Sequence, residues 1–391
     1  MSAPSKAVVI GGGGFIGSAL VKLLLEDGWR VRVVSRAARP TGQPGLEAVR
    51  GDVADEASMR AAIEGADVVY HLAMGGGESW ADFQRDFVDG TAAVAKACRD
   101  FGVRRLIYTS SSAALYLGKS GAINESAGPD PRPEVRSLYS RGKVEAERVL
   151  MRWHRDHGLP VVIMRPCIVV GRGGLFAHGG VGYWASDTHC IGWGPGKTPL
   201  PFVLVDDVAR ALSTAKDVPG IEGMSFNLAG DVRPSAAEFV RVIGERTLRN
   251  FHFRPCNLRR LQAIEIAKWA LKAIVRKPGN AWPSYRDFAS RAMISQIDNL
   301  VDGDSAITCG DQGGKEGTGS SLSALLGSQL LLLRANLGFC RHYLSLGGTH
   351  LCFASANLLF QRAHFCLDCK LVWMVSVELS ALLFELALPL L

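Results

Sequence analysis

Tyr139 and Lys143 stand four positions apart in the segment Ser137–Lys143. That spacing is about one helical turn, so the phenol and the ammonium project from one face of a helix. A cation held beside a phenol favours its ionised form, which predicts a tyrosine pKa drawn down toward neutral pH and a side chain able to exchange a proton. The chain also opens with a glycine-rich turn, Gly11–Gly17. A turn without side chains lets backbone N–H groups approach a diphosphate. Together the two motifs point to hydride chemistry on an alcohol or ketone.

Gly11, Gly14 and Gly17 recur every third residue between an apolar run and a helical pattern, with Phe15 and Ile16 opening the helix. A strand–turn–helix of this kind presents unsatisfied N–H groups and the positive end of a helix dipole to a pyrophosphate. The end of the second strand selects between NAD and NADP, because a carboxylate there binds the ribose 2′-hydroxyl and a basic residue accommodates a 2′-phosphate. Here it reads Val33-Val-Ser-Arg36, with Arg39 following and no acid, which favours NADP over NAD. Asp52, before Val53, is placed either to accept a hydrogen bond from the adenine amine or to cap its own turn. His71-Leu72-Ala73 ends the fourth strand where backbone lines the cofactor, with His71 read as a packed residue. Ser110–Ser112 ends the fifth strand, at the carboxyl edge where open α/β sheets bind ligands.

The elements needed to hold these groups are legible as a pattern. Lys6–Ile10, Arg30–Ser35, Leu46–Arg50, Asp67–Leu72, Arg104–Ser110 and Pro160–Arg165 are short apolar runs without strict alternation, as in strands covered on both faces. Phe15–Asp27, Glu56–Glu64, Trp80–Phe101 and Leu138–His157 read as the helices between them. Alternation of this kind predicts an α/β, Rossmann-type doubly wound parallel sheet over residues 1–166. A smaller α/β substrate lobe follows over 167–300, within which Gly171–Pro201 reads as an irregular binding segment. Phe202–Lys216 returns to the scaffold as a strand and a helix, and Ser235–Leu248 and Leu258–Val275 read as amphipathic helices.

Ordered in this way, the glycine turn, strand-end serine and Tyr-x-x-x-Lys resemble the extended short-chain dehydrogenase/reductases of the NAD-dependent epimerase/dehydratase superfamily, from about Lys6 to Asn299. Tyr108–Ala113, Arg165-Pro166 with Val169–Gly171, and Phe202–Val208 extend the similarity. The resemblance implies Tyr139 as general acid/base, Lys143 tuning it and holding the nicotinamide ribose, and Ser112 orienting the substrate. It also implies that Val53, Leu72, Ala73 and Pro166 line the cofactor, and that the protein forms a homodimer. Three positions depart from the family pattern. Ile10 replaces the usual threonine, Phe87 stands where many members carry asparagine, and Arg165-Pro-Cys-Ile168 lacks the asparagine with which sugar-nucleotide epimerases reach a diphosphate. These features favour an oxidoreductase acting on a small-molecule alcohol or ketone. A nucleotide-sugar epimerase or dehydratase and a non-catalytic dinucleotide sensor are the alternatives. Arg172, Tyr183, Trp184, His189 and Trp193 are candidate substrate contacts, and Asp206 and Asp207 are read as helix caps.

The net charge of +7 suits acidic ligands, but its basic residues are dispersed, which argues against nucleic acid as a partner. Ala7–Ile10 is too short for a signal-peptide core, and the nine cysteines show no disulfide spacing over the first 300 residues, so a cytoplasmic protein with reduced thiols is expected. Residues 301–391 form an atypical Leu- and Cys-rich tail that replaces the family's closing helix and reads as a frameshift or fusion. Glu378 and Glu385 interrupt the apolar run Leu371–Leu391, which makes it a poor membrane span. Cys366 and Cys369, with His364 and Cys352, lack a second well-spaced pair, and no metal is expected.

Overall fold

The computed structural model describes residues 5–39, 41–116, 123–274, 283–292, 294 and 297. The strands are β1 (Lys6–Ile10), β2 (Arg30–Ser35), β3 (Leu46–Arg50), β4 (Val68–His71), β5 (Arg105–Thr109), β6 (Val161–Pro166), β7 (Ile168–Val170), β8 (Gly182–Ser186), β9 (His189–Gly192), β10 (Phe202–Leu204), β11 (Ser225–Leu228) and β12 (His252–Arg254). The α-helices are α1 (Phe15–Glu26), α2 (Glu56–Ile63), α3 (Trp80–Phe83), α4 (Gly90–Asp100), α5 (Leu138–His157), α6 (Val205–Thr214), α7 (Ala236–Thr247), α8 (Leu258–Ile274) and α9 (Tyr285–Ala292).

Seven parallel strands form the central sheet in the order β11-β6-β5-β4-β1-β2-β3. Alternate residues of each strand enter opposite cores. Val8 and Ile10 of β1 pack with Met59, Val94, Leu106 and Leu150 beneath α2, α4 and α5. Ala7 and Val9 pack with Leu20, Leu24, Val208 and Leu212 beneath α1 and α6. Burial on both faces explains the unbroken apolar runs. Strand order reverses at β1, whose neighbours are β2 and β4, and this opens a crevice outside their carboxyl ends.

Three elements differ from the sequence pattern. Expected as one helix, Trp80–Phe101 is divided by a π-helical turn at Gln84–Asp89. Gly171–Pro201, expected to be irregular, contains the antiparallel pair β8–β9, to which β12 adds in parallel. Its Gly and aromatic content masks two strands that pair chiefly with each other, with β12 added from outside the segment. The seventh strand, β11, is an edge strand of four residues, too short and too polar to announce itself. Within Phe202–Lys216, β10 pairs with β7, while α6 packs on the central sheet beside α1. Among the described residues, no helix is long and apolar enough to cross a membrane. The tail read as atypical, with Leu371–Leu391 and the Cys366–Cys369 segment, lies outside the described residues.

The turn between β1 and α1 is fixed by close backbone packing. A Cβ at Gly17 would stand 2.4 Å from the Gly11 carbonyl oxygen and 2.7 Å from the Gly12 Cα, whereas one at Gly13 meets nothing within 4 Å. Gly17 is helical, where alanine is ordinarily the better residue by about 1 kcal/mol. Gly17→Ala is nonetheless expected to destabilise the protein by about 1–3 kcal/mol through overpacking. Gly13→Ala should stay within about 0.5 kcal/mol. Urea unfolding of the two variants measures the contrast.

Candidate active site

The glycine turn leaves a cradle that side chains would fill. Gly11 has φ +86°, and a Cβ there would lie 2.8 Å from the Ala73 backbone nitrogen. Gly14 is the N-cap of α1 and offers no side-chain cap, so the first N–H groups of the helix face outward. A cleft of about 740 Å³ starts at this point. Gly11, Gly14, Phe15, Ile16 and Gly17 line one end, Arg36, Asp52 and Val53 follow, then Leu72 and Ala73, and Tyr139, Lys143 and Pro166 lie farther along. A backbone cradle at a helix N-terminus, continued by a cationic rim, fits a dinucleotide. Arg36 is exposed at that rim and makes no ion pair among the described residues; Arg39 does not reach the cleft. Asp52 also caps its turn, accepting the Ala54 N–H at 3.1 Å.

Helix α5 carries the catalytic candidates. Ser137 caps it by accepting the Ser140 N–H, and Gly158 ends it in the left-handed conformation at φ +66°. Tyr139, Lys143 and Glu147 then follow at successive i+4 positions on the face turned toward β5 and β6.

The serines of Ser110–Ser112 are placed differently. Ser110 donates to Glu147, Ser111 accepts the Ala113 N–H at 3.2 Å and acts against the rise of the Tyr139 pKa, and Ser112 is buried. Ser111 is extended (φ −162°, ψ 150°) at the start of the short turn Ser112–Ala114, and both Ser111 and Ser112 line the cleft.

Lys143 does not hydrogen-bond Tyr139. Its Nζ donates to the Thr109 carbonyl at 2.8 Å and to the Tyr108 hydroxyl at 3.4 Å, and stands 6.0 Å from the Tyr139 ring centroid. The rings of Phe87 and Tyr108 flank it at 5.3 and 4.9 Å. Burial lowers the lysine pKa to about 7, against the opposing pull of Glu147. Burial likewise raises that of Tyr139, with the Ser111 hydrogen bond acting in the other direction. The expected lowering of the tyrosine pKa is thus absent here, because desolvation outweighs a cation that is engaged elsewhere.

Surrounding groups complete the centre. Glu147 accepts two hydrogen bonds from Arg165, at 3.0 and 2.8 Å, with both side chains buried. His71 is held neutral by burial and the Lys143 charge, with its pKa near 3, and its Nε2 contacts the Thr91 hydroxyl at 3.1 Å. It is a packed residue. Phe87 stacks on Phe83 and meets Tyr139 edge-on, in place of the polar contact an asparagine would make.

Arg172, Tyr183, Trp184, His189 and Trp193 do not line the cleft. Trp184 and Trp193 donate to the carbonyls of His178 and Gly179, His189 stacks on His252, and Lys268 lies over Tyr183. Their segment contributes His178, Gly179 and Gly180 to the cleft instead. Asp206 and Asp207 sit in the first turn of α6, after the N-cap Leu204, and neither caps the helix through its side chain. Glu147 escaped the sequence reading, although continuing the Tyr139–Lys143 spacing by another four residues would have found it. Arg136, Asp287 and Arg291 line the far end of the cleft and carry no local signal. Among the described residues, no group of three or more His, Cys, Asp or Glu could hold a metal ion.

A family model described as the NAD dependent epimerase/dehydratase family matches residues 7–229. A 3-beta-hydroxysteroid dehydrogenase of Mycolicibacterium neoaurum is 32% identical over 178 residues, covering 43% of this chain and 48% of that protein. A 2-alkyl-3-oxoalkanoate reductase of Stenotrophomonas maltophilia (strain K279a) is 33% identical over 174 residues, covering 43% and 52%. The chain spans about half the length of these curated relatives. Among solved structures, MoeE5 in complex with UDP-glucose and NAD superposes with a TM-score of 0.60 at 22% identity, covering 85% of this chain and all of that one. This last likeness is one of fold.

The buried lysine makes stability depend on pH. An unfolded lysine keeps its proton to about pH 10.4, whereas Lys143 in the native protein loses it near pH 7. Between those values the unfolded state binds the extra proton, so this group's contribution to stability rises with pH; below about pH 7 both states are protonated and the contribution is flat. Lys143→Met lacks that rise. The unfolding free energy of wild type minus that of the variant should therefore be constant from pH 6 to 7 and grow in favour of wild type from pH 7 to 10, as read by urea titrations across the range.

Proposed function

The chain belongs to the NAD dependent epimerase/dehydratase family, and from that premise we propose that it is an NAD(P)-dependent oxidoreductase acting on a small-molecule alcohol or ketone, with Tyr139 as general acid/base. The observation that carries this reading is the single cleft joining the glycine cradle of α1 to the Ser111–Tyr139 pair. A bound nicotinamide supplies hydride exchange with the substrate carbon. Tyr139 moves the hydroxyl proton at its phenolic oxygen, and Ser111 fixes the direction of that oxygen. Lys143 supports the negative charge that develops on the phenol during transfer, from a site shielded from water. NADP is the proposed cofactor, because Arg36 stands at the rim where an acid would select NAD.

Simple oxidation or reduction is a better reading than epimerisation. Cys167 and Ile168 occupy the stretch after Arg165 where a sugar-nucleotide epimerase carries its diphosphate-binding asparagine, and both lie in an apolar cluster. The similarity to a hydroxysteroid dehydrogenase and an oxoalkanoate reductase supports the same choice.

Two experiments test the proposal. Across a panel of ketones and alcohols, turnover should consume NADPH or NADP in equal amount with substrate. Tyr139→Phe should lower it by about 10²–10⁴-fold while leaving cofactor affinity unchanged; a variant as active as wild type refutes the assigned role. Arg36→Ala should weaken NADPH binding about tenfold, as expected for loss of a charge-assisted hydrogen bond, and leave NADH binding nearly unaltered in a fluorescence titration.

A further inference from the structure

We infer that Asp287, on a helix of the substrate lobe distant in sequence from the catalytic segment, positions Tyr139 for proton transfer; the inference rests on the acid/base role proposed above. The Asp287 carboxylate is largely buried. It accepts the Ser137 backbone N–H at 3.1 Å, Arg136 Nε at 3.2 Å and Arg291 Nε at 3.1 Å. Ser137 is the N-cap of α5, and Tyr139 is the second residue of that helix. The carboxylate therefore holds the residue that sets the first turn, and its charge stands at the positive end of the helix dipole.

Arg136 carries the tie to the other half of the site. Its guanidinium donates to the carbonyls of Leu115 and Ala113 at 3.2 and 3.4 Å, in the turn that begins at Ser111. The Asp287 carboxylate and the Arg136 guanidinium thus link the turn that begins at Ser111 to the first turn of α5, which carries Tyr139. Asp287, Ser290 and Arg291 of α9 also line the cleft, so a substrate seated against this helix touches the element that holds the tyrosine.

A contact that holds the approach to α9 from α8 lies apart from this network: Gln262 donates to the Pro283 carbonyl at 3.1 Å. Arg286 belongs to the network itself: it donates to the fully buried Asp130 at 2.6 Å, and Asp130 accepts Arg136 at 2.7 Å and, at its carbonyl, Arg148 of α5 at 3.2 Å. This difference separates positioning from anchorage. In the full-length protein, Asp287→Ala should lower kcat roughly 10–100-fold, the size expected of a misplaced catalytic group, with the NADPH dissociation constant unchanged. Asp287→Asn keeps an oxygen for the Ser137 N–H and should recover part of the loss. Gln262→Ala should lower Tm and leave kcat near wild type. Should kcat fall in step with Tm in all three variants, the role is structural and the inference fails.

A second measurement does not depend on turnover. With 3-fluorotyrosine at position 139, Asp287→Ala and Asp287→Asn should each displace the fluorine resonance, and Gln262→Ala should leave it in place. A resonance unmoved by either Asp287 variant overturns the inference, even if one of them folds poorly. Displacement without turnover of any panel substrate upholds the positioning and refutes the oxidoreductase reading instead.

Discussion

An ammonium group taken out of water costs several kcal/mol unless fixed charges and dipoles replace its hydration, and the centre of this protein is built around that demand. Lys143 is 2% exposed. The carboxyl end of β5 supplies the Thr109 carbonyl, Tyr108 supplies a hydroxyl and a ring face, and Phe87 supplies a second ring. One turn further along α5, Glu147 provides the opposing charge, itself held by Arg165 of β6 and Ser110. Compensation is incomplete, as the lowered lysine pKa shows. A cation so balanced responds to any negative charge brought nearby, including one developing on the adjacent phenol. Its partners come from two strands, one helix and the π-helical turn, so the central sheet must be assembled before the site exists.

The parallel sheet explains why these parts meet. Every strand of the central sheet points the same way, and the loops after β1, β4, β5 and β6 therefore emerge at one edge. They deliver, in order, the glycine turn, Leu72 with Ala73, the serine run and Pro166. Reversal of strand order at β1 parts the connections and leaves the crevice between them. The glycines matter for their missing atoms. A side chain at Gly11 would strike the Ala73 backbone, and one at Gly17 would strike the turn itself.

Much of this was legible in the residues because local spacing encodes it. Strands β1 to β3 and helix α5 fall at the limits their apolar runs and caps predict, and the motifs on them line one cleft. What could not be read depends on contacts between distant segments. Strand β11 is held by pairing with β6, and β8 and β9 by pairing with each other and with β12. Asp287 lies 150 residues from the Ser137 N–H it accepts, and no periodicity marks such a partnership. Even the Tyr-x-x-x-Lys spacing carried only part of the electrostatics. It put the two groups on one face, while desolvation and the Thr109 carbonyl decided where the lysine's proton density points.

Phe87 shows how a departure from the family pattern is absorbed. An asparagine there would bring a polar side chain into the ring of groups around Lys143; phenylalanine brings a π face, which a cation attracts without a hydrogen bond. Space for it comes from two places. The π-helical turn at Gln84–Asp89 interrupts the regular helix at this residue, a distortion that recurs at functional sites. Across from it, α5 carries Gly142 between Tyr139 and Lys143, at a cost of about 1 kcal/mol relative to alanine in a helix interior. A Cβ on Gly142 would lie 3.2 Å from the Phe87 ring, tighter than carbon contacts comfortably allow. Restoring asparagine alone would thus leave Gly142 facing a smaller side chain and Lys143 without one of its ring faces. The aromatic residue, the widened turn and the glycine form one adaptation, and it bears directly on the two groups proposed to carry the chemistry.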